Sequence, residues 1–163
     1  MTNYIIRNGS GPEVSITHPN YLSVTATFTS STWNTAATHE VFTVTGCVRM
    51  RMWAVCTGTL TDAADAAIIQ FGVAGTTTAF IGATDAAGRN GQTLTDTWFW
   101  YDTSPDAANE ATATAVLDHV VNGLDVGYEI TGAALTGGSI VFHCVWEPIN
   151  STGNVAAGAG GTL

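Results

Sequence analysis

Residues 39–56 (HEVFTVTGCVRMRMWAVC) carry the clearest hydrophobic pattern of the chain, because the side chains that follow Gly46 alternate at period two. Period two divides them into one face with Val48, Met50, Met52, Ala54 and Cys56 and another face with Cys47, Arg49, Arg51, Trp53 and Val55. Helical spacing would instead put Arg49 and Arg51 on the same side as core residues. The pattern predicts a long β-strand, with two of the four positive charges of the chain on one face.

Shorter alternating or apolar runs recur along the rest of the chain at intervals of about 8 to 12 residues, a spacing typical of sandwiches and small barrels. They predict strands at 14–17, 21–29, 67–73, 80–84, 92–101, 115–121, 124–130 and 139–146. Residues 30–39 are predicted to be a loop, in which Trp33 either closes the end of the core or contacts another chain. Residues 57–67 are expected to form one helical turn or a bend into the next strand.

No segment has a convincing helical pattern, so the predicted fold class is all-β, an antiparallel β-sandwich or jelly roll. The length of 163 residues suits one domain, which we place at residues 13–150. Residues 1–12 are predicted to be an extended N-terminal arm. The glycine-rich residues 151–163 have little hydrophobic bulk and are predicted to be a C-terminal tail, disordered or laid across a partner.

The composition is unusually poor in charge: charged residues are 10% of the chain, where about 25% is typical of soluble domains. Such a surface suits a subunit that lives inside an assembly. The chain contains no lysine and has a formal net charge of −9, which argues against direct nucleic-acid binding, since phosphate contacts require clustered positive charge. No apolar run is long enough for a membrane-spanning helix, and the first residues lack the pattern of a signal peptide, so neither a membrane nor a secretory route is expected.

The residues with reactive side chains form no recognisable catalytic or metal-binding motif, so we predict neither an enzyme, nor a cofactor, nor a metal site. Cys47 and Cys56 lie on opposite faces of the long strand and are expected to be separate thiols. A disulfide between Cys56 and Cys144 stays open as an alternative. The cysteine pattern is typical of a protein made in a reducing cytoplasm.

Two groups of side chains have alternative interpretations. Trp98, Trp100 and Tyr101, together with Trp33 and Trp53, would either form a platform that stacks sugar rings or pack in the core and at subunit contacts. Arg49 and Arg51 would pair either with acids across a subunit boundary or with acids on the next strand of their own sheet.

Four stretches together resemble a known class of proteins: HEVFTVTGCVRMRMWAVCTGTL, AAIIQFGVAGTTTAFIGAT, LDVGYEITGAALTGGSIVFHCVWEPI and GNVAAGAGGTL. They are similar to small β-rich virion proteins of tailed bacteriophages, in particular capsid decoration (head auxiliary) proteins. The resemblance implies a structural protein on the outer lattice of the major capsid protein, often a homotrimer, which is made in the cytoplasm of a bacterial host. It carries no residue-by-residue functional motif.

The contact residues that we predict for such a role are Tyr4, Ile5, Ile6, Arg49, Arg51, Trp53, Trp98, Trp100, Val155 and Leu163. They are expected to contact other copies of the chain or the major capsid protein. The alternative function is a phage tail or fibre module that binds a host glycan through exposed tryptophans.

Overall fold

The computed structural model describes residues 3–6, 14–17, 20–63, 66–85, 97–98 and 118–163. At 3–6, 14–17, 81–85 and 97–98 the description is of the backbone alone. Predictions for other positions, including Trp100, lie outside the described residues.

The described residues form twelve β-strands and no helix, which confirms the predicted all-β class. The strands are β1 (Asn3–Ile6), β2 (Val14–Thr17), β3 (Asn20–Thr27), β4 (Thr38–Thr45), β5 (Cys47–Asp62), β6 (Ile68–Val73), β7 (Thr76–Asp85), β8 (Thr97–Trp98), β9 (His119–Asn122), β10 (Val126–Thr131), β11 (Leu135–Pro148) and β12 (Asn154–Ala157).

Ten of these strands belong to two antiparallel sheets that pack as a sandwich. Sheet A has the order β12-β4-β10-β6-β7. Sheet B has the order β3-β11-β5-β8, with β9 also paired to β5. The predicted antiparallel sandwich is therefore confirmed, whereas jelly-roll connectivity stays a prediction.

The core lies between the two sheets and is filled by the inward sides of the central strands. In β5 the buried face is the predicted one, with Val48, Met50, Met52, Ala54 and Cys56. Phe142 of β11 stacks on Phe71 of β6 and on Tyr128 of β10, at centroid distances of 5.1 and 5.5 Å. Offset aromatic contacts of this kind add to the free energy of burial, so this stack joins the two sheets at their centre.

Gly46 is the single residue between β4 of sheet A and β5 of sheet B. Its φ of 64° lies in the left-handed region that favours glycine. A Cβ at this position would also lie 2.7 Å from the backbone carbon of Thr152. The sharp passage between the layers therefore requires glycine, and it places the long strand directly after a strand of the other sheet.

The prediction that residues 57–67 turn or bend was wrong for most of that segment, since β5 continues to Asp62. Its second half pairs with β11 through register shifts, with Gly58 opposite Ser139 and Asp62 opposite Leu135. The glycine and aspartates misled the prediction, because a strand with register shifts tolerates glycine, which weakens the interior of a regular strand.

The C-terminal segment is not a separate tail. Residues 154–157 form β12, which pairs with β4, and the side chain of Val155 lies in the core with 6% exposure. Beyond β12, the amide of Gly158 donates to the carbonyl of Val41 at 2.8 Å, and the amide of Glu40 donates to the carbonyl of Gly161 at 2.7 Å. Backbone hydrogen bonds and the buried Val155 hold this segment on sheet A. Its low hydrophobic content therefore did not predict that it is ordered within the chain.

At the N-terminus, β1 pairs with β2 in a two-stranded antiparallel sheet. Tyr4, Ile5 and Ile6 lie in β1, opposite Ile16, Ser15 and Val14. The prediction of an extended arm therefore differs from the structure at residues 3–6, where the backbone pairs within the chain. Whether these residues also contact a partner stays a prediction.

Candidate functional site

The outer face of sheet B carries charged, aromatic and aliphatic side chains close together. Because Met50, Met52 and Ala54 point into the core, the intervening Arg49, Arg51 and Trp53 point outward. This arrangement confirms that the two arginines and the tryptophan share a face. The register places His143 of β11 opposite Trp53 and Val145 opposite Arg51.

A cleft of about 460 Å³ opens at this face, beside the two arginines. Its walls come from β5, from β11 and from the residue that precedes β9. The lining residues are Arg49, Met50, Arg51, Trp53, Asp118, Val145, Trp146 and Glu147. The cleft thus combines four charged groups with an aromatic ring and aliphatic surface.

The charged groups of the cleft are paired with one another. Both Nε and Nη2 of Arg51 lie close to Oδ1 of Asp118, at 3.1 and 3.0 Å. Arg49 contacts Glu147 on the adjacent strand β11, and its Nε lies 3.9 Å from Oδ2 of Asp118. Pairing within the same sheet was one of the two alternatives for these arginines, and it is the one that the structure contains. Two positive and two negative charges leave the cleft without net charge.

Three rings lie side by side next to the cleft. The imidazole of His143 stacks on the indole of Trp53 with centroids 5.1 Å apart and planes 12° apart. On its other side, Tyr21 of β3 stacks on the same imidazole at 6.0 Å, and its hydroxyl lies 2.7 Å from Nδ1 of His143. The tyrosine is 59% exposed. Three adjacent strands of sheet B, β3, β11 and β5, therefore present a continuous aromatic group to the outside.

Two histidines near the cleft favour the neutral imidazole. Burial lowers the pKa of His143 below its usual 6.5, because removal of water penalises the charged ring. For His119, which follows the cleft residue Asp118, burial also lowers the pKa, and the negative charge of Asp118 opposes the shift. With a neutral His143, the hydroxyl of Tyr21 can donate its hydrogen to Nδ1.

Other buried polar groups serve the fold. The hydroxyl of Tyr128 donates to the carbonyl of Trp33 at 2.6 Å, and burial raises the pKa of this tyrosine. Trp33 stacks on Tyr128 and packs against the core, which confirms that it closes the end of the core. His39 is 3% exposed, and its ring nitrogens lie 3.0 Å from the carbonyl of Thr32 and 2.9 Å from that of Thr35.

The three thiols are free, so the alternative of a disulfide between Cys56 and Cys144 is not what the structure contains. Burial raises the pKa of the Cys144 thiol to about 12. A thiol with such a pKa is almost entirely protonated at neutral pH and is a poor nucleophile. Cys144 therefore packs as a small apolar side chain.

A second polar group, missed by the sequence patterns, lies on the outer face of sheet A. The amide of Gln70 donates to Oε2 of Glu129 at 2.5 Å, and the hydroxyl of Thr77 donates to the same oxygen at 2.6 Å. These residues come from three neighbouring strands, β6, β7 and β10. Glu129 is far from Gln70 and Thr77 in sequence, so no local pattern predicts the contact. All three are partly buried, and they satisfy one another across the sheet.

The other predicted contact residues are dispersed. Trp98 lies in β8 with its backbone opposite Ala54, and only the backbone is described there. Val155 is buried within its own chain, and whether it also contacts a partner stays a prediction. Leu163 lies over the backbone of sheet A, where its Cδ1 would be 3.0 Å from a Cβ at Gly127. The predicted set thus contributes three members to one site, Arg49, Arg51 and Trp53.

Asp118, Glu147, Tyr21 and Val145 belong to this surface but were not predicted as contact residues. Strand pairing brings Tyr21, Val145 and Glu147 to it, as in Glu147 opposite Arg49, and Asp118 directly precedes β9, which pairs with β5. His143 is half buried, and its ring contacts Tyr21 of the adjacent strand β3. For Asp118, the sequence gives one local signal of exposure, because this acid directly follows the apolar residues 115–117.

Within the described parts of the chain, no three His, Cys, Asp or Glu side chains converge in a way that would hold a metal ion. No described helix could span a membrane. Comparison with known proteins gives no match, whether to a family model, to a curated protein or to a solved structure.

Proposed function

We propose that this protein is a structural subunit of a virion, a capsid decoration protein that packs against copies of itself and against the outer lattice of a major capsid protein. The observation that carries the proposal is the chemistry of the outer face of sheet B. That face combines short, neutral side chains with charges that are already paired within the chain.

The neutral part of this face extends over β3, β11 and the second half of β5. Its exposed or partly exposed residues are Ser23, Thr25, Thr27, Val55, Thr57, Ser139 and Val141. Threonine, serine and valine lose little conformational entropy when they are buried at a contact. Thr57 and Ser139 also satisfy one another, since their hydroxyl oxygens are 2.8 Å apart. A partner can therefore cover this face without ordering long side chains.

The charged part of the face is compatible with association for a different reason. Arg49 and Arg51 are about half exposed and retain Asp118 and Glu147 as partners. Burying a charge that keeps its partner costs less than burying an isolated one. The pairs therefore tolerate a contact that covers the neutral part of the sheet beside them.

The resemblance to virion proteins of tailed phages gives the proposal its specific form. A decoration protein needs no catalytic pocket, and multivalent contact with a repeating lattice strengthens its binding without a large interface at any one copy. The low content of charged residues agrees with a surface that is covered in the assembled particle. The homotrimer is part of the same proposal.

The oligomer is tested by light scattering coupled to size exclusion on the purified protein. We expect a trimer, and we expect Thr25→Arg to yield monomers, because it places an unpaired charge in the middle of the neutral face. Thr78→Arg is the matched control, since Thr78 is exposed in β7 of the other sheet. A wild-type monomer, or a trimer that Thr25→Arg leaves intact, would contradict assembly through this face.

The location in a virion is tested by labelling purified particles with an antibody to the protein and imaging them in negative stain. Labels distributed over the heads support a decoration protein. Labels confined to tails or fibres, or particles without any label, contradict it.

A further inference from the structure

The cleft at Arg49, Arg51, Asp118 and Glu147 has hydrogen-bonding properties that select one class of ligand. The arginines present N–H donors, and the carboxylates present acceptors, within a few ångströms of one another. Because the charges balance, an anion would have to displace the carboxylates, and a cation would have to displace the arginines. A neutral molecule that is both donor and acceptor at many positions meets neither obstacle.

Polyhydroxylated molecules have this property, since each hydroxyl group both donates and accepts a hydrogen bond. The planar side chains of arginine and carboxylate match pairs of adjacent hydroxyls, for the same geometric reason that they match one another. The ion pairs are about half exposed, so their remaining N–H groups and lone pairs are accessible to such a ligand.

The apolar wall of the cleft suits the C–H surface of a sugar ring. Trp53 lines the cleft, and stacking on His143 fixes its ring, so that little entropy is lost when a ligand packs against it. Val145 adds aliphatic surface on the adjacent strand. Pyranose rings expose patches of C–H groups that pack on aromatic surfaces, while their hydroxyls point sideways to polar groups.

The volume agrees with a small ligand. A cleft of about 460 Å³ lies within the range of about 300 to 1,000 Å³ that is common for small-molecule sites. It accommodates one or two sugar rings, and its open side allows a longer chain to continue outside.

We propose that this cleft is a binding site for a neutral saccharide, with Trp53 as the packing surface and the two arginine–carboxylate pairs as the hydrogen-bonding groups. The inference goes beyond the proposed assembly function, and neither depends on the other. It centres the site on Trp53, without assigning a role to Trp98 or Trp100. Trp33, which the sequence analysis placed in the same aromatic platform, packs against the core and takes no part in the saccharide site.

The test uses the full-length protein and a panel of neutral hexoses, N-acetylhexosamines and their disaccharides, followed by ligand-observed NMR and titration calorimetry. We expect saturable binding of at least one of them. Trp53→Ala should weaken that binding about tenfold, which corresponds to about 1.4 kcal/mol, because it removes the packing surface for the sugar ring. Val145→Arg should abolish it by filling the cleft with a longer side chain. Leu124→Ala, an exposed position outside the cleft, is the control and should bind as the wild type does.

Circular dichroism and thermal unfolding of each variant separate loss of the site from loss of the fold, and Val145→Arg gives an answer even if Trp53→Ala does not fold. Absence of saturable binding to every neutral saccharide would overturn the proposal. Binding that both variants retain would overturn it equally. Light scattering on the same samples tests the proposed assembly separately from the saccharide site. A protein that forms a trimer but binds no sugar would contradict the saccharide site alone.

Discussion

At the scale of single residues, the outer face of sheet B is organised by His143. Its imidazole lies between the rings of Trp53 and Tyr21, and the tyrosine hydroxyl approaches Nδ1 at 2.7 Å. Burial lowers the pKa of this histidine, so the folded protein favours the neutral ring. The unfolded chain, in contrast, protonates near the ordinary pKa of about 6.5.

This difference predicts a loss of stability in mild acid. As the pH falls below about 6.5, the unfolded state binds a proton that the folded state does not yet bind, so the free energy of unfolding decreases. Above that pH both states are neutral and the effect is absent. Thermal unfolding between about pH 7.5 and pH 5.5 should therefore show a falling Tm.

His143→Gln provides the comparison. It should flatten the pH dependence of Tm in part, because His119 has its pKa lowered as well and continues to contribute. Curves for the wild type and the variant that stay parallel over this range would contradict a role for His143.

Residue-scale features were predictable only where they follow from the order of residues along one strand. The shared face of Arg49, Arg51 and Trp53 follows from period two, which sterics impose on every strand. Their partners Asp118 and Glu147 depend on which strands pair and in which register. That information comes from packing of the whole chain, so the cleft could not be predicted.

At the scale of elements, the long strands were predicted best and the ends of the chain worst. Residues 47–56 of β5 and most of β11 have alternating or continuous apolar patterns that no other element type explains, whereas the continuation of β5 to Asp62 was not predicted. β12 has one inward valine among small residues, and its pairing with β4 depends on backbone groups that are the same for every sequence. The pattern of side chains in residues 154–157 therefore says little about whether this segment forms a strand or where it pairs.

Truncation after Gly153 tests the structural role of β12. We expect it to lower the free energy of unfolding by at least about 2 kcal/mol, because it exposes the apolar surface that Val155 covers and leaves the edge of β4 unpaired. Chemical denaturation measures the difference.

Two controls separate the contributions. Val155→Ala in the full-length chain removes burial but keeps the strand, and it should cost less than the truncation. Removal of Thr162 and Leu163 alone retains β12 and should cost less still. A truncated protein as stable as the full-length chain would show that β12 does not support sheet A.

At the scale of the whole molecule, the two sheets share one core. Phe142 of sheet B stacks on Phe71 and Tyr128 of sheet A, and β4 passes directly into β5 through Gly46. Because each sheet covers the apolar inner face of the other, unfolding of one sheet would expose the core face of the second. We therefore expect both sheets to unfold together.

Phe142→Ala should lower the free energy of unfolding by about 3–5 kcal/mol, the usual cost of removing a buried phenylalanine. Val141→Ala, next to it on the outward side of β11, should cost clearly less. Far-ultraviolet circular dichroism and tryptophan fluorescence during denaturation should give coincident transitions. Separate transitions for the two signals would contradict a shared core.

The fold class was predictable at this scale, because the alternation of side chains and the spacing of turns leave few architectures open. The sheet order was not, since β10 pairs with both β4 and β6 and so brings together segments distant in sequence. The chain has many apolar strands of similar composition, and composition alone does not distinguish among their possible neighbours.

The distribution of the thiols has a practical consequence. Cys56 and Cys144 are buried, whereas Cys47 is partly exposed at the beginning of β5, the strand that also carries Arg49, Arg51 and Trp53. The natural sequence thus provides one preferred attachment point for a maleimide dye, without any substitution. A fluorophore there would sit a few residues along the same strand from the cleft, close enough to report on what enters it.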